Sequence, residues 1–226
     1  MPRITRGIAD SFVYHILNRG NEKQKVFYKD KDYEAFIHLM KEAKERYSVK
    51  LFAYCLMPNH FHMVVKPIYG KDLSRYMQWL MTSHVRRYHS HYGTTGHVWQ
   101  GRFKSFIVQE DNHLITVLRY VEGNPVRAGL TSSSRDWVWS SHRETLGESA
   151  KGFTDEIPIV LPDEWGKFVD ETVAEKELAI IRESAHRQAP FGTFLWKSMQ
   201  CKQFGLESTM RKRGRPMKQK DSDFKM

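Results

Sequence analysis

His60 and His62 stand two residues apart, with Phe61 between them, inside the run YCLMPNHFHMVV. Side chains alternate along an extended strand, so both imidazoles fall on one face and Phe61 on the other. Two neutral imidazoles side by side can take one divalent metal ion and leave positions open for substrate oxygens. Read alone, a His-x-His is more often two surface histidines. Other metal enzymes also share it, so it names no reaction. A second pair, Tyr120 and Asn124, is spaced by four and so shares one helical face. A tyrosine hydroxyl there can serve as a nucleophile, and an amide oxygen one turn on can approach a metal. The plain alternative is a core tyrosine followed by an asparagine that ends its helix before Pro125. Together, and in a basic chain, the two features fit phosphoryl transfer.

These residues need a scaffold. Residues 12–18, 49–57, 60–66 and 103–109 are short and rich in β-branched and aromatic residues, and read as strands. Pro58-Asn59 is a tight turn between the second and third. Apolar positions spaced by three and four predict helices over 30–47, with Asp30 or Asp32 as its cap, over 73–92, and from Asp111 to about Gly123. The order β-α-β-β-α-β is the split βαβ pattern of ferredoxin-like and RRM-like folds. The fold class is α+β: an antiparallel sheet with helices on one face, leaving the other free for a ligand, plus a helical C-terminal extension. That extension reads as an appendage with an acidic helix over 163–186 and a short helix over 193–204.

The chain has 226 residues and a formal net charge of +10. Residues 146–185 alone carry −6, leaving +16 on the rest; a solvated helix face is the simplest reading of the acids. A basic excess points to a polyanion partner, and weakly so by itself. No apolar run approaches the ~20 residues of a membrane span. MPRITRGIAD has no apolar signal core, and Cys55 and Cys201 match no zinc or disulfide spacing. A reduced, cytoplasmic protein is expected.

YCLMPNHFHMVV, RYVEGNPVRAGL and the basic-aromatic run GHVWQGRFKSFIV resemble the HUH single-tyrosine, IS200-like transposases. Within these, the match is with the REP-associated tyrosine transposases of bacteria. The resemblance covers residues 1–147 and returns in the tail piece GLESTMRKRGRPMK. It implies that His60 and His62 bind a metal, magnesium or manganese, and that Asn124 helps to hold it. It makes Tyr120 the nucleophile that forms a covalent 5′-phosphotyrosine. The substrate implied is single-stranded DNA with a hairpin beside the cut, handled by a monomer at the nucleoid. The sequence departs from the subgroup at Glu122-Gly123, where a His-Leu-like pair is common, and a glycine there costs about 1 kcal/mol of helix propensity.

On this reading residues 1–147 are the catalytic domain, 148–205 an acidic helical extension, and 206–226 a basic tail similar to an AT-hook. Arg19 and Asn21 after the first strand, Arg86 and Arg87 on the second helix, and Arg102 and Lys104 at the fourth strand are candidate DNA contacts. In the tail, Arg211, Arg213 and Arg215 are suited to a minor groove. Two rivals stand beside this reading. One is a nucleic-acid-binding protein without catalysis, built on the same RRM-like sheet. The other is a metal-dependent hydrolase of a small substrate, which would leave the basic tail unexplained.

Overall fold

The computed structural model describes residues 7–149 and 152–211. Its sheet has four antiparallel strands, β1 (Val13–Arg19), β2 (Val49–Met57), β3 (His60–Pro67) and β4 (Lys104–Val108), in the order β2-β3-β1-β4. The helices α1 (Asp30–Arg46) and α2 (Gly70–Tyr92) make the two connections of the expected β-α-β-β-α-β order. Both lie on one face, where Ile16, Leu56, Phe61 and Met63 meet Phe36 and Met40 of α1 and Leu73, Met77 and Leu80 of α2. At the start of α1, the Asp32 carboxylate reaches back and accepts from the backbone N–H groups of Tyr28 (2.9 Å) and the N-cap Lys29 (3.2 Å).

The other face is not free. Val13, Phe52, Ala53, Val64, Phe106 and Val108 make it apolar, and apolar sheet surface must be covered. The helix α3 (Asn112–Glu122), capped by Asp111 as expected, lays Leu114, Val117, Leu118 and Val121 on it. The chain continues through a short α4 (Asn124–Arg127), and later through α5 (His142–Thr145). The C-terminal extension completes this layer rather than standing apart as an appendage. The acidic helix expected over 163–186 is two helices, α6 (Trp165–Asp170) and α7 (Glu175–Arg187), with Val173 buried at the break. Trp165, Val169, Ile181 and Ala185 join the α3 core. The final elements are α8 (Phe194–Phe204) and α9 (Glu207–Met210).

The chain after α4 also covers both sheet edges, which would otherwise offer unpaired backbone groups. At β2, Leu56 N–H donates to the Trp139 carbonyl (2.9 Å). At β4, Phe191 N–H donates to the Ile107 carbonyl (2.8 Å). Some acids of the extension act as anchors. Asp155 pairs with Lys44 at 2.6 Å and accepts from Leu51 N–H at 2.7 Å, while Asp170 accepts from Ser133 and Ser134. Glu175 and Glu183 fit the solvated face that the sequence suggested. Cys55 and Cys201 are free and buried, and no helix among the described residues is long and apolar enough to cross a membrane.

Glu122 ties the two layers together. Its side chain is fully buried and accepts from Ser141 Oγ (3.2 Å), Thr145 Oγ1 (2.6 Å), His142 Nδ1 (2.7 Å) and Trp165 Nε1 (2.8 Å). The Glu122 departure from the subgroup pattern therefore has a structural role. Glu122→Ala leaves the buried His142 Nδ1 and Trp165 Nε1 without their acceptor and opens a cavity, and is expected to destabilise the fold by about 3–5 kcal/mol in denaturant titration.

His84 gives a pH signature. Its ring lies among Phe36 (5.0 Å), Trp99 (5.2 Å) and Phe27 (5.7 Å) on the α1/α2 face. Burial, with Arg87 acting the same way and Asp32 opposing, pushes its pKa down to about 3 from 6.5. It is neutral when folded and takes up a proton on unfolding, so its contribution is complete above 6.5 and lost as pH falls towards about 3. Melting temperatures across that range should fall less steeply for His84→Leu than for the wild type.

Candidate active site

The pleat of β3 places His60 and His62 on the α3 face, and Phe61 on the other, against Phe36 (5.3 Å) and Trp99 (5.4 Å). The β1–β3 register sets Arg19 beside His60 and Leu17 beside His62. The β1–β4 register adds Lys104 beside Leu17. Arg19, His60, His62 and Lys104 therefore share one end and one face of the sheet.

A third imidazole completes the pair. His15 Nε2 lies 2.8 Å from His62 Nδ1, and the two rings are stacked within 5°. His60 Nδ1 donates to the Asn59 side-chain oxygen at 2.6 Å. With both Nδ1 atoms engaged, Nε2 is the nitrogen of each ring available to a ligand. Burial pushes the His15 pKa down to about 3 and the His60 pKa to about 4, the latter with help from Arg19. His62 is held well below the usual range by burial, by His15 and His60, and by Arg127 and Arg19. All three rings are thus neutral near pH 7, the state that can coordinate a cation. Among the described residues no group of three or more His, Cys, Asp or Glu side chains is disposed to hold a metal.

The last turn of α3 hangs Tyr120 over this pair. Its ring meets His62 edge-on at 5.6 Å between centroids and His15 at 6.0 Å. Asn124 is buried one turn on; its Nδ2 donates to the carbonyls of Tyr120 (3.0 Å) and Val121 (3.3 Å), leaving its oxygen as the outward-acting atom. The Arg127 guanidinium sits over the Tyr120 ring, 4.6 Å from its centroid.

The fold gathers His60, His62, Tyr120, Asn124, Arg19 and Lys104. Asn21 follows β1 near the same end, where the neighbouring Gly20 N–H donates to the Asn59 carbonyl at 2.8 Å. Arg102 is exposed just before β4. Arg86 and Arg87 are not part of this group: they lie on α2, across the sheet, Arg86 in a groove with Arg75 and Trp79 and Arg87 bonded to the Lys31 carbonyl. Tyr14, Tyr88, Trp99, Phe103 and Phe106, aromatics that can stack on bases, are buried. Arg211 is exposed at the end of the described chain, and Arg213 and Arg215 lie outside the described residues. His15 and Arg127 are the additions that the sequence motifs did not single out. Each could have been suspected only as a polar residue inside an otherwise apolar strand or at the end of the tyrosine helix.

The model of the family described as "Transposase IS200 like" matches residues 9–124, a stretch that holds His15, His60, His62, Tyr120 and Asn124. A Haemophilus influenzae protein that carries the name REP-associated tyrosine transposase is 26% identical over 138 residues, covering 56% of this chain and 72% of its own. The solved structure of a REP-associated tyrosine transposase bound to a REP hairpin superposes with a TM-score of 0.55. It is 17% identical, and the match covers 77% of this chain and 99% of that one, a likeness of fold. With the family model spanning just over half of its length, the chain belongs to the IS200-like transposase family.

Proposed function

We propose that this chain is a metal-dependent single-strand DNA endonuclease and strand transferase, acting on hairpin repeat DNA of the REP type through a covalent 5′-phosphotyrosine at Tyr120. One observation carries the reading: the Tyr120 ring stands edge-on to His62, whose partner His60 lies two residues before it on the same strand face. The Haemophilus relative by its name, and the hairpin-bound structure by its ligand, support hairpin repeats as the substrate class.

The residues fit a divalent cation such as magnesium or manganese. Neutral His60 and His62 would hold it through Nε2, with the Asn124 amide oxygen as third protein ligand. Such an ion supplies Lewis acidity at a non-bridging phosphate oxygen. The chain does the rest. His15 holds the His62 ring in place, and with His62 Nδ1 as the donor to His15 the His62 Nε2 is left free for the ion. Arg19 and Lys104, on the same face, draw the backbone in and turn the phosphate towards the histidines. The Tyr120 oxygen then bonds to phosphorus as the bond from phosphorus to the 3′ oxygen breaks. The phenol proton passes to solvent, and the 3′ oxygen takes one up to leave as a hydroxyl. The phosphotyrosine keeps the energy of the broken ester, so a second 3′-hydroxyl can reverse the step and join strands.

The RRM-like binding reading fares worse. That mode stacks bases on an open sheet, whereas α3 covers this one and Phe106 is buried beneath it. In this reading Arg102, Asn21 and the groove holding Arg86 would contact flanking DNA, and the basic tail the hairpin stem. The protein is expected to work as a monomer at the nucleoid.

Tyr120→Phe should reduce cleavage of a hairpin with a single-stranded flank by at least about a thousandfold and abolish the adduct, while affinity is kept. A Phe variant that still cleaves would refute the assignment. Removing residues 212–226 takes away six bases and should weaken binding and flatten its dependence on salt. An unchanged salt slope would remove the tail from the interface.

A further inference from the structure

Arg127 is an unusual cation. Its guanidinium is largely withdrawn from water, and among the described residues no carboxylate pairs with it. Burial pushes its pKa down to about 10; Tyr120 and Cys55 act against that shift, and Arg182 and Arg119 with it. A buried charge without a counter-ion is costly and persists only where other contacts hold it.

Those contacts all lead to Tyr120. The guanidinium carbon lies 4.6 Å above the centre of the tyrosine ring, a cation–π geometry. Arg127 Nη2 donates to the Tyr120 carbonyl, which also accepts from Asn124 Nδ2 at 3.0 Å. Arg127 Nη1 is buried with no hydrogen-bond partner, so the head is not fixed from its other side. The chain makes room for it at Gly123. A Cβ there would come within 2.8 Å of Arg127 Nη1, and within 3.0 Å of the carbonyl oxygens of Arg119 and Val169. The glycine that departs from the subgroup pattern is therefore the one that admits the arginine.

We propose that Arg127 is a positioning residue for strand cleavage: it clamps the Tyr120 ring from above, while His15 and His62 bound it edge-on, and so holds the hydroxyl in its attacking orientation over the histidine pair. The inference rests on Tyr120 being the nucleophile. It explains why a helix end carries two side chains on one carbonyl, more than capping requires. It also makes the planar guanidinium specific. A lysine ammonium cannot lie flat on a ring and bond the carbonyl in the same pose.

The test uses the full chain, magnesium, and a DNA hairpin with a single-stranded flank taken from repeats beside its own gene. Single-turnover adduct formation, hairpin affinity and melting temperature are measured for wild type, Arg127→Met, Arg127→Lys and Tyr120→Phe. Both Arg127 variants should form the adduct about a hundredfold more slowly, with affinity changed by no more than about threefold. If Arg127→Met does not fold, Arg127→Lys, which keeps stem and charge, carries the test. A folded variant that forms adduct at the wild-type rate overturns the proposal, as does a rate that falls only in step with affinity. An adduct formed by Tyr120→Phe sinks the nucleophile reading instead, so the two failures are distinct.

Discussion

The site depends on α3 lying across the sheet face that carries the imidazoles. A histidine pair on a pleated strand has no chemistry of its own. It gains one when a helix crossing over it lowers a tyrosine to within 5.6 Å of the ring of His62. The crossing is fixed by ordinary burial: Leu114, Val117, Leu118 and Val121 fill the apolar half of that face. The polar half, at the end of β3 and β1, is left to His60, His62 and Arg19. The same helix thus seals the core with one stripe and presents Tyr120 with its last turn.

That arrangement asks something of the rest of the chain. A helix on the second face leaves its own outer surface to cover, and α6 and α7 do so with Trp165, Val169 and Ile181. Glu122, next but one to Tyr120, is bound by groups from residues 141–145 and from α6. The extension is therefore coupled to the tyrosine helix through the Trp165 indole, the one of the four donors that reaches the buried carboxylate from α6. Edge coverage of β4 by Phe191 docks the extension on the same sheet.

Much of this was legible in the sequence, for a physical reason. Strand alternation and helix periodicity are local, so β2 ends where the pattern ends, at Met57, and the imidazoles of His60 and His62 share a face as the period of two requires. Capping by Asp111 is local too. Other features are set by pairing at long range. His15 meets His62 only because the β1–β3 register brings Leu17 opposite His62, and nothing within VYHILNR reveals that register. Arg86 and Arg87 are candidate DNA contacts by charge alone, and charge along a sequence carries no information about sheet face; the fold puts them across the sheet from the histidines. The apolar second face was written in Phe52, Val64 and Phe106, yet it reads as a covered surface only once the strands are ordered.

The central claim is that Tyr120 takes the 5′ phosphate. Mass spectrometry of the digested wild-type adduct, formed on hairpin DNA with magnesium, tests it most directly. The account predicts a nucleotide phosphate on the peptide containing Tyr120 and on no other tyrosine. A phosphate mapped to a different residue, or cleaved DNA with no protein-linked product, would contradict it.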